Sequence, residues 1–240
     1  MLVSHALKSE RLRGLLQRIF CGKVVSVLND IRIRGAQIRE RLRQLFLRNE
    51  YPRNTRTFLL RAYVDIALEH HEAIWLLTKS KLDGSAFAMV RLVYDAMFRA
   101  FWINKVATEQ QIEQATRDEL GFPIETIFAE IKRDYFSDRP PEEAQQFDDF
   151  LQSIKKAWGP MCSYTHSGAL QLARRFTGDK LKPDYSEGAI VEASNLVTIA
   201  LLLLMHTFFV GMRCPREAEE AGTLLRQYHD DFAEALRSCQ

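Results

Sequence analysis

The chain reads as all-α, an antiparallel helical bundle with additional N- and C-terminal helices, and three observations say so. Hydrophobic residues make up 47% of its 240 residues, enough for a continuous core in one large domain. Only eleven glycines and seven prolines occur, most of them between periodic segments, as expected of long helices with short connections. Within those segments apolar residues recur at alternating spacings of four and three, the period of a helix and not of a strand.

Segment 23–48 carries Val24, Leu28, Ile31, Gly35, Ile38, Leu42 and Leu45 on one face, with Arg32, Arg34, Arg39, Arg41, Arg43 and Arg48 mostly on the others. Gly35 interrupts this seam at a cost of about 1 kcal/mol relative to Ala, so two such helices would zip together only weakly. A shorter amphipathic piece around Leu7 to Phe20 precedes it. Tyr51-Pro52 and Asn54 punctuate the chain, and Asn54 or Thr55 caps a helix over about 55–80. Its stripe of Leu59, Tyr63, Ile66, His70, Ala73 and Leu77 turns His70 inward. Leu82-Asp83-Gly84 then leads to a helix capped by Ser85 and reaching about Val106, with Phe87, Val90, Tyr94, Phe98, Phe101 and Trp102 on its apolar side. The two form an antiparallel hairpin.

Residues 107–140 form shorter, more polar helices, broken at Gly121-Phe122-Pro123 and Pro140-Pro141. The proline pair opens a helix that runs through Phe147, Phe150, Leu151 and Ile154 to Trp158, with Glu142 and Glu143 where the helix dipole favours acids. After Gly159-Pro160 a compact helix over 161–176 carries Tyr164, His166, Arg174 and Arg175. A loop, 178–185, precedes an apolar helix over 187–212, and Pro215 starts a charged C-terminal helix.

Leu196 to Met212 is uncharged over 17 residues, the lower limit for a bilayer span. Its His206, two threonines and flanking Glu192 and Arg213 favour a buried central helix, with no membrane partner. Residues 1–61 hold 14 Lys/Arg against four Asp/Glu, a net +10, and the remaining 19 Lys/Arg and 27 Asp/Glu give −8. A basic arm (1–50) joined to an acidic bundle (51–240) suits phosphates, or an acidic surface of the same or another chain. Cys21, Cys162, Cys214 and Cys239 include no CxxC pair and fit a reducing cytoplasm, and no signal-peptide order precedes them.

Phosphate-binding loops, dinucleotide fingerprints, zinc-protease and nucleophile-elbow motifs are all missing, and Glu69, His70, His71 and Glu72 lack the Glu-x-x-His spacing of di-iron bundles. Neither metal nor cofactor is expected. Two constellations are left. Arg91, at the edge of an apolar stripe, forms a charged ladder with Asp95 and Arg99 one and two turns on, which reads either as a structural ion pair or as part of a site. Ser163-Tyr164-Thr165-His166-Ser167-Gly168 is followed by Arg174 and Arg175. Histidine titrates near neutrality and arginine holds phosphate, so these groups suffice for metal-independent RNA cleavage by the neighbouring 2′-hydroxyl. A helix-cap network, with His166 packed on Trp158, is the equally available structural account.

Arg91-x-x-x-Asp95 in an aromatic-rich helix, followed by Tyr164-Thr-His166-Ser-Gly, resembles uncharacterised bacterial helix-bundle families related to the HEPN superfamily. SAFAMVRLVYDAMFRAFW and MCSYTHSGALQLARRF carry the resemblance, which covers about 55–212. It implies a four-helix core, a homodimer, and ribonuclease activity in a toxin–antitoxin or antiphage system with a cognate antitoxin or other protein partner. The HEPN arrangement of Arg, four to six residues, then His on one helix does not occur in this sequence. The resemblance therefore implies that Arg91 and His166 supply those groups from different helices, with Asp95 and Tyr164 orienting them. Nucleic-acid contacts are expected from Arg99, Arg174 and Arg175 and, on the arm, from Arg39, Arg41 and Arg43. The alternative is a non-catalytic module binding nucleic acid or protein. A small-molecule sensor lined by Tyr94, Phe98, Trp102 and Trp158 is a third expectation.

Overall fold

The computed structural model describes residues 22–117, 119, 121, 123–135 and 140–238, with backbone alone at 22–29, 135, 236 and 238. Leu7 to Phe20, Cys21, Cys239 and the side chains of Val24 and Leu28 lie outside the described residues. The elements run α1 (Gly22–Arg48), α2 (Thr55–Lys79), α3 (Asp83–Lys105), α4 (Glu109–Thr116), α5 (Ile124–Tyr135), α6 (Pro141–Thr165), α7 (Ala169–Ala173), β1 (Phe176–Thr177), β2 (Lys180–Leu181), α8 (Glu187–Gly211) and α9 (Pro215–Ser238). The fold is all-α apart from the small antiparallel pair β1–β2, whose turn uses Gly178 at φ 60°.

Helix α8 is apolar over most of its circumference, so most of it must be taken out of water. Val191, Val197, Leu201, Met205 and Phe209 are completely or almost completely buried, and α1, α2, α3 and α9 enclose the helix. By length and hydropathy alone it could cross a bilayer, but most of that surface is taken up inside the bundle. Each such side chain contributes about 1.5–3 kcal/mol on leaving water. Helix α3 packs on α2 and α8 with one side and on α5 and α6 with the other, where Phe98, Phe128, Phe150 and Trp158 form a ring cluster.

The seam of α1 is buried at Ile31, Gly35, Ile38, Leu42 and Leu45, but what fills it is α8 of the same chain, not a second copy of α1. Gly35 is required there: a Cβ would lie 2.8 Å from Thr198 Oγ1. Charge therefore sets residues 1–50 apart, whereas packing joins their described part to the core. The acidic surface met by these arginines is intramolecular. Arg34 pairs with Asp231 at 2.5 Å, Arg43 and Arg39 reach Glu72 at 2.7 and 3.7 Å, and Arg41 pairs with Glu220.

Three local expectations need correction. On α2 the period is right and the phase is off by one residue: Leu60, Val64, Ala67, His71, Ile74 and Thr78 are buried, whereas Ile66 is exposed and His70 only half-buried. Both stripes are apolar enough to face the core, and a polar partner decides between them. His71 Nε2 lies 3.0 Å from Thr198 Oγ1, whose own proton goes to the Ser194 carbonyl. His71 must then donate, as the neutral Nε2–H tautomer. Helix α3 starts at Asp83, and Leu82 makes no side-chain cap, so Ser85 does not cap it. Helix α6 runs straight through Gly159-Pro160, because Trp158 and Met161 on either side are buried and hold the helix against the loss of one backbone bond. The compact helix expected over 161–176 is accordingly the end of α6, then α7 and β1. Lys81, Ser167 and Arg213, just past α2, α6 and α8, adopt φ of 60°, 55° and 56° without being glycine.

Two outcomes follow from the buried polar layer. Gly35→Ala gains about 1 kcal/mol of helix propensity but forces an atom onto Thr198 Oγ1, an overpacking cost of about 1–3 kcal/mol. Urea unfolding should show a net loss that turns into a gain in a Thr198→Ala background. Burial, aided by the charge of Arg39, lowers the pKa of His71 from 6.5 to about 3. The unfolded chain therefore binds the extra proton, and stability is retained above pH 6.5 and lost as pH falls towards 3. The slope is about 1.4 kcal/mol per pH unit, and His71→Gln should flatten it in melts across that range.

Candidate functional site

Gly84, Ala88, Arg91 and Asp95 recur on α3 at helical spacing and so make one strip along its axis. The segment from Trp158 to Tyr185 lies along this strip. At its centre Arg91 Nη1 is 2.6 Å from His166 Nε2, its Nε is 3.5 Å from Asp95 Oδ2, and its Cζ stands 5.2 Å over the Trp158 ring. Guanidinium only donates, so His166 Nε2 accepts, and the imidazole is neutral with its proton on Nδ1. His166 is exposed, while Arg91 and Asp95 have side-chain exposures of 21% and 22%. Burial pushes the Asp95 carboxyl above the usual carboxylate range, against the pull of Arg91 and Arg99.

The turn that presents His166 is held on both sides. Thr165 Oγ1 lies 2.9 Å from the carbonyls of both Ala88 and Met161, tying α6 to α3. His166 caps α6 with its N–H on the Cys162 carbonyl, Gly168 N–H donates to the Ser163 carbonyl at 2.6 Å, and Ser163 Oγ accepts from Leu170 N–H at 3.0 Å. Gly168 permits this closeness, since a Cβ would meet Ser163 Oγ at 2.6 Å. Ser163 and Thr165 therefore fill the cap-network role, while the ring over which Arg91 lies is that of Trp158.

Of the residues singled out from sequence, Arg91, Asp95 and His166 come together. Tyr164 packs elsewhere, 5.1 Å from the Phe87 ring and 6.5 Å from that of Tyr185. Arg99 lies one turn beyond Asp95, and Arg174 donates to the Asp184 carbonyl at 3.2 Å. Arg175 sits over Gly84, where a Cβ would meet its Nη2 at 2.7 Å and the Tyr185 hydroxyl at 2.9 Å. Arg39, Arg41 and Arg43 are drawn away to Glu72 and Glu220. Tyr94, Phe98 and Trp102 are buried in the core, with Tyr94 Oη donating to the Leu196 carbonyl and Trp102 Nε1 to Glu130. Sequence reasoning missed Gly84, Gln171, which donates to the Gly84 carbonyl, and Tyr185. A glycine in the first turn of a helix was the one available signal. Among the described residues no group of three or more His, Cys, Asp or Glu is arranged to hold a metal.

A family of unknown function, DUF6988, matches residues 64–234. The chain belongs to DUF6988. The matched region runs from within α2 to within α9 and contains the whole strip and everything laid on it, whereas α1 precedes it. No curated protein and no solved structure matches the chain.

Because Arg91 fixes the tautomer, nitrogen NMR of His166 in mildly alkaline buffer should show the Nδ1–H form dominant. Arg91→Gln should return it to the Nε2–H-rich mixture of a free imidazole.

Proposed function

We propose that this chain is an RNA-acting protein of HEPN-like type that cleaves RNA without a metal ion, His166 acting as acid/base and Arg91 binding the phosphate. The observation that carries this is the 2.6 Å approach of Arg91 to His166 at a solvent-open edge, across 75 residues of sequence. HEPN enzymes hold the same two groups on one helix, and here α3 and α6 supply them. At rest the guanidinium occupies the Nε2 lone pair. A phosphodiester offers it anionic oxygens in matching planar geometry, a better acceptor than neutral imidazole. Arg91 then shifts to the phosphate and Nε2 is freed. His166 takes the 2′-hydroxyl proton, O2′ bonds to phosphorus, the bond to the 5′-oxygen breaks, and water at the open edge protonates that oxygen. Asp95 keeps Arg91 in line, and Tyr164 braces the turn that carries His166. The same likeness extends to a cytoplasmic toxin–antitoxin or antiphage role, as a homodimer with a cognate antitoxin.

A second reading, a non-catalytic binding module, is favoured by the way Asp95 and Trp158 already match Arg91, as in a structural clamp between α3 and α6. Incubating the full chain with labelled tRNA and mRNA in a chelator separates the two. Cleavage should leave 2′,3′-cyclic phosphate and 5′-hydroxyl ends, and His166→Ala or Arg91→Ala should slow it at least about 100-fold. RNA left intact by the wild-type chain would sink the enzyme and leave the clamp.

A further inference from the structure

The segment that follows His166 ends in a hairpin which the core does not use. Phe176 and Leu181 are directly opposed across β1 and β2, so their side chains share one face, and they are 51% and 76% exposed. Residues 174–182 carry Arg174, Arg175, Lys180 and Lys182 against the single acid Asp179. An isolated two-stranded hairpin is marginal in water, and one exposed cross-strand pair adds only about 0.2–1 kcal/mol to it. Lys180 is opposed to Thr177 and so lies on the other face from Phe176. An aromatic on one face and cations on the other suit a single-stranded nucleic acid passing over the hairpin's edge, its base stacked and its phosphates on the charge.

Position supports the same occupant. Arg175 rests over Gly84, seven residues before Arg91 on α3, which at 1.5 Å per residue is about 10 Å along the axis. A short stretch of single strand bridges that gap. We propose that the hairpin 176–181 is a stacking platform for single-stranded RNA, with Phe176 under a base, Lys180 and Lys182 on phosphates, and the scissile phosphate at Arg91 and His166. It rests on the RNA reading of that pair and adds the strand form of the substrate and the residues that grip it.

The test is fluorescence anisotropy of the full-length chain, carrying His166→Ala to prevent turnover, with a labelled single-stranded RNA of about 12 nucleotides, within the span such platforms cover. Adding Phe176→Ala should weaken binding about tenfold, while the Lys180→Glu/Lys182→Glu pair should lower the salt slope by about 1.4, two phosphate contacts' worth. Circular dichroism checks that these exposed changes leave the helices intact. In the cleavage assay Phe176→Ala alone should raise KM about tenfold. The platform is overturned if both hairpin variants bind RNA within about twofold of their parent. It is equally overturned if the parent binds phosphatidylserine vesicles through Phe176 and no RNA, or if Phe176→Ala changes only the oligomeric state by light scattering. Strand bound through Phe176 yet never cut by the wild-type chain would retain the platform and remove the catalytic pair. Strand cut normally by Phe176→Ala would do the reverse.

Discussion

The core of this fold is arranged around a helix too apolar to stand in water alone. An α8 with a broad polar side would need one or two neighbours; one that is apolar over most of its circumference needs more, and α1, α2, α3 and α9 supply them. The requirement reaches α1, whose arginines might otherwise mark it as a free basic arm. Its apolar seam closes α8, and Gly35 lets the two backbones approach at Thr198. With the seam committed, Arg34, Arg41 and Arg43 come to lie beside Asp231, Glu220 and Glu72. Such half-exposed pairs contribute little each. Their effect is to match, within one molecule, part of a charge asymmetry that on paper looks intended for a partner.

Because α8 and α2 occupy one side of α3, the opposite side is free to build something else, and α5 and α6 settle there on an aromatic cluster. The site lies at the edge of that second contact. Arg91 leaves the cluster across the Trp158 ring and meets His166 where α6 stops. Its geometry thus depends on how α6 is seated on α3, which Thr165 secures through the Ala88 carbonyl.

Among the described residues the order of the long helices and most of their approximate limits were legible in the sequence, since hydrophobic period and the scarcity of Gly and Pro are local properties. The inward face of α2 was not. Leu59/Tyr63 and Leu60/Val64 offer two adjacent apolar stripes, and the choice was made by Thr198, 127 residues from His71, as a hydrogen-bond partner. Nor was the continuity of α6 through Pro160, where anchoring by Trp158 and Met161 outweighs a local breaker. In the site, Arg91 and Asp95 could be paired from spacing alone, because four residues make one helical turn. The nearness of His166 had no local signature. Tyr164, two residues from His166, was expected beside it and instead faces Phe87 and Tyr185, as a helical step of two demands.

The left-handed residues Lys81, Ser167 and Arg213 carry a further implication. A residue with a Cβ in that conformation costs about 1–2 kcal/mol, which glycine would avoid. All three helix ends bear that cost and are nonetheless closed by the helix's own carbonyls. Leu82, Gly168 and Cys214 each donate their N–H to the carbonyl five residues back, of Leu77, Ser163 and Phe209, the closure in which the left-handed residue turns the chain back on its own last turn. The bend that lifts His166 out of its helix is therefore written into the end of α6 itself, at a conformational cost that Ser167 bears.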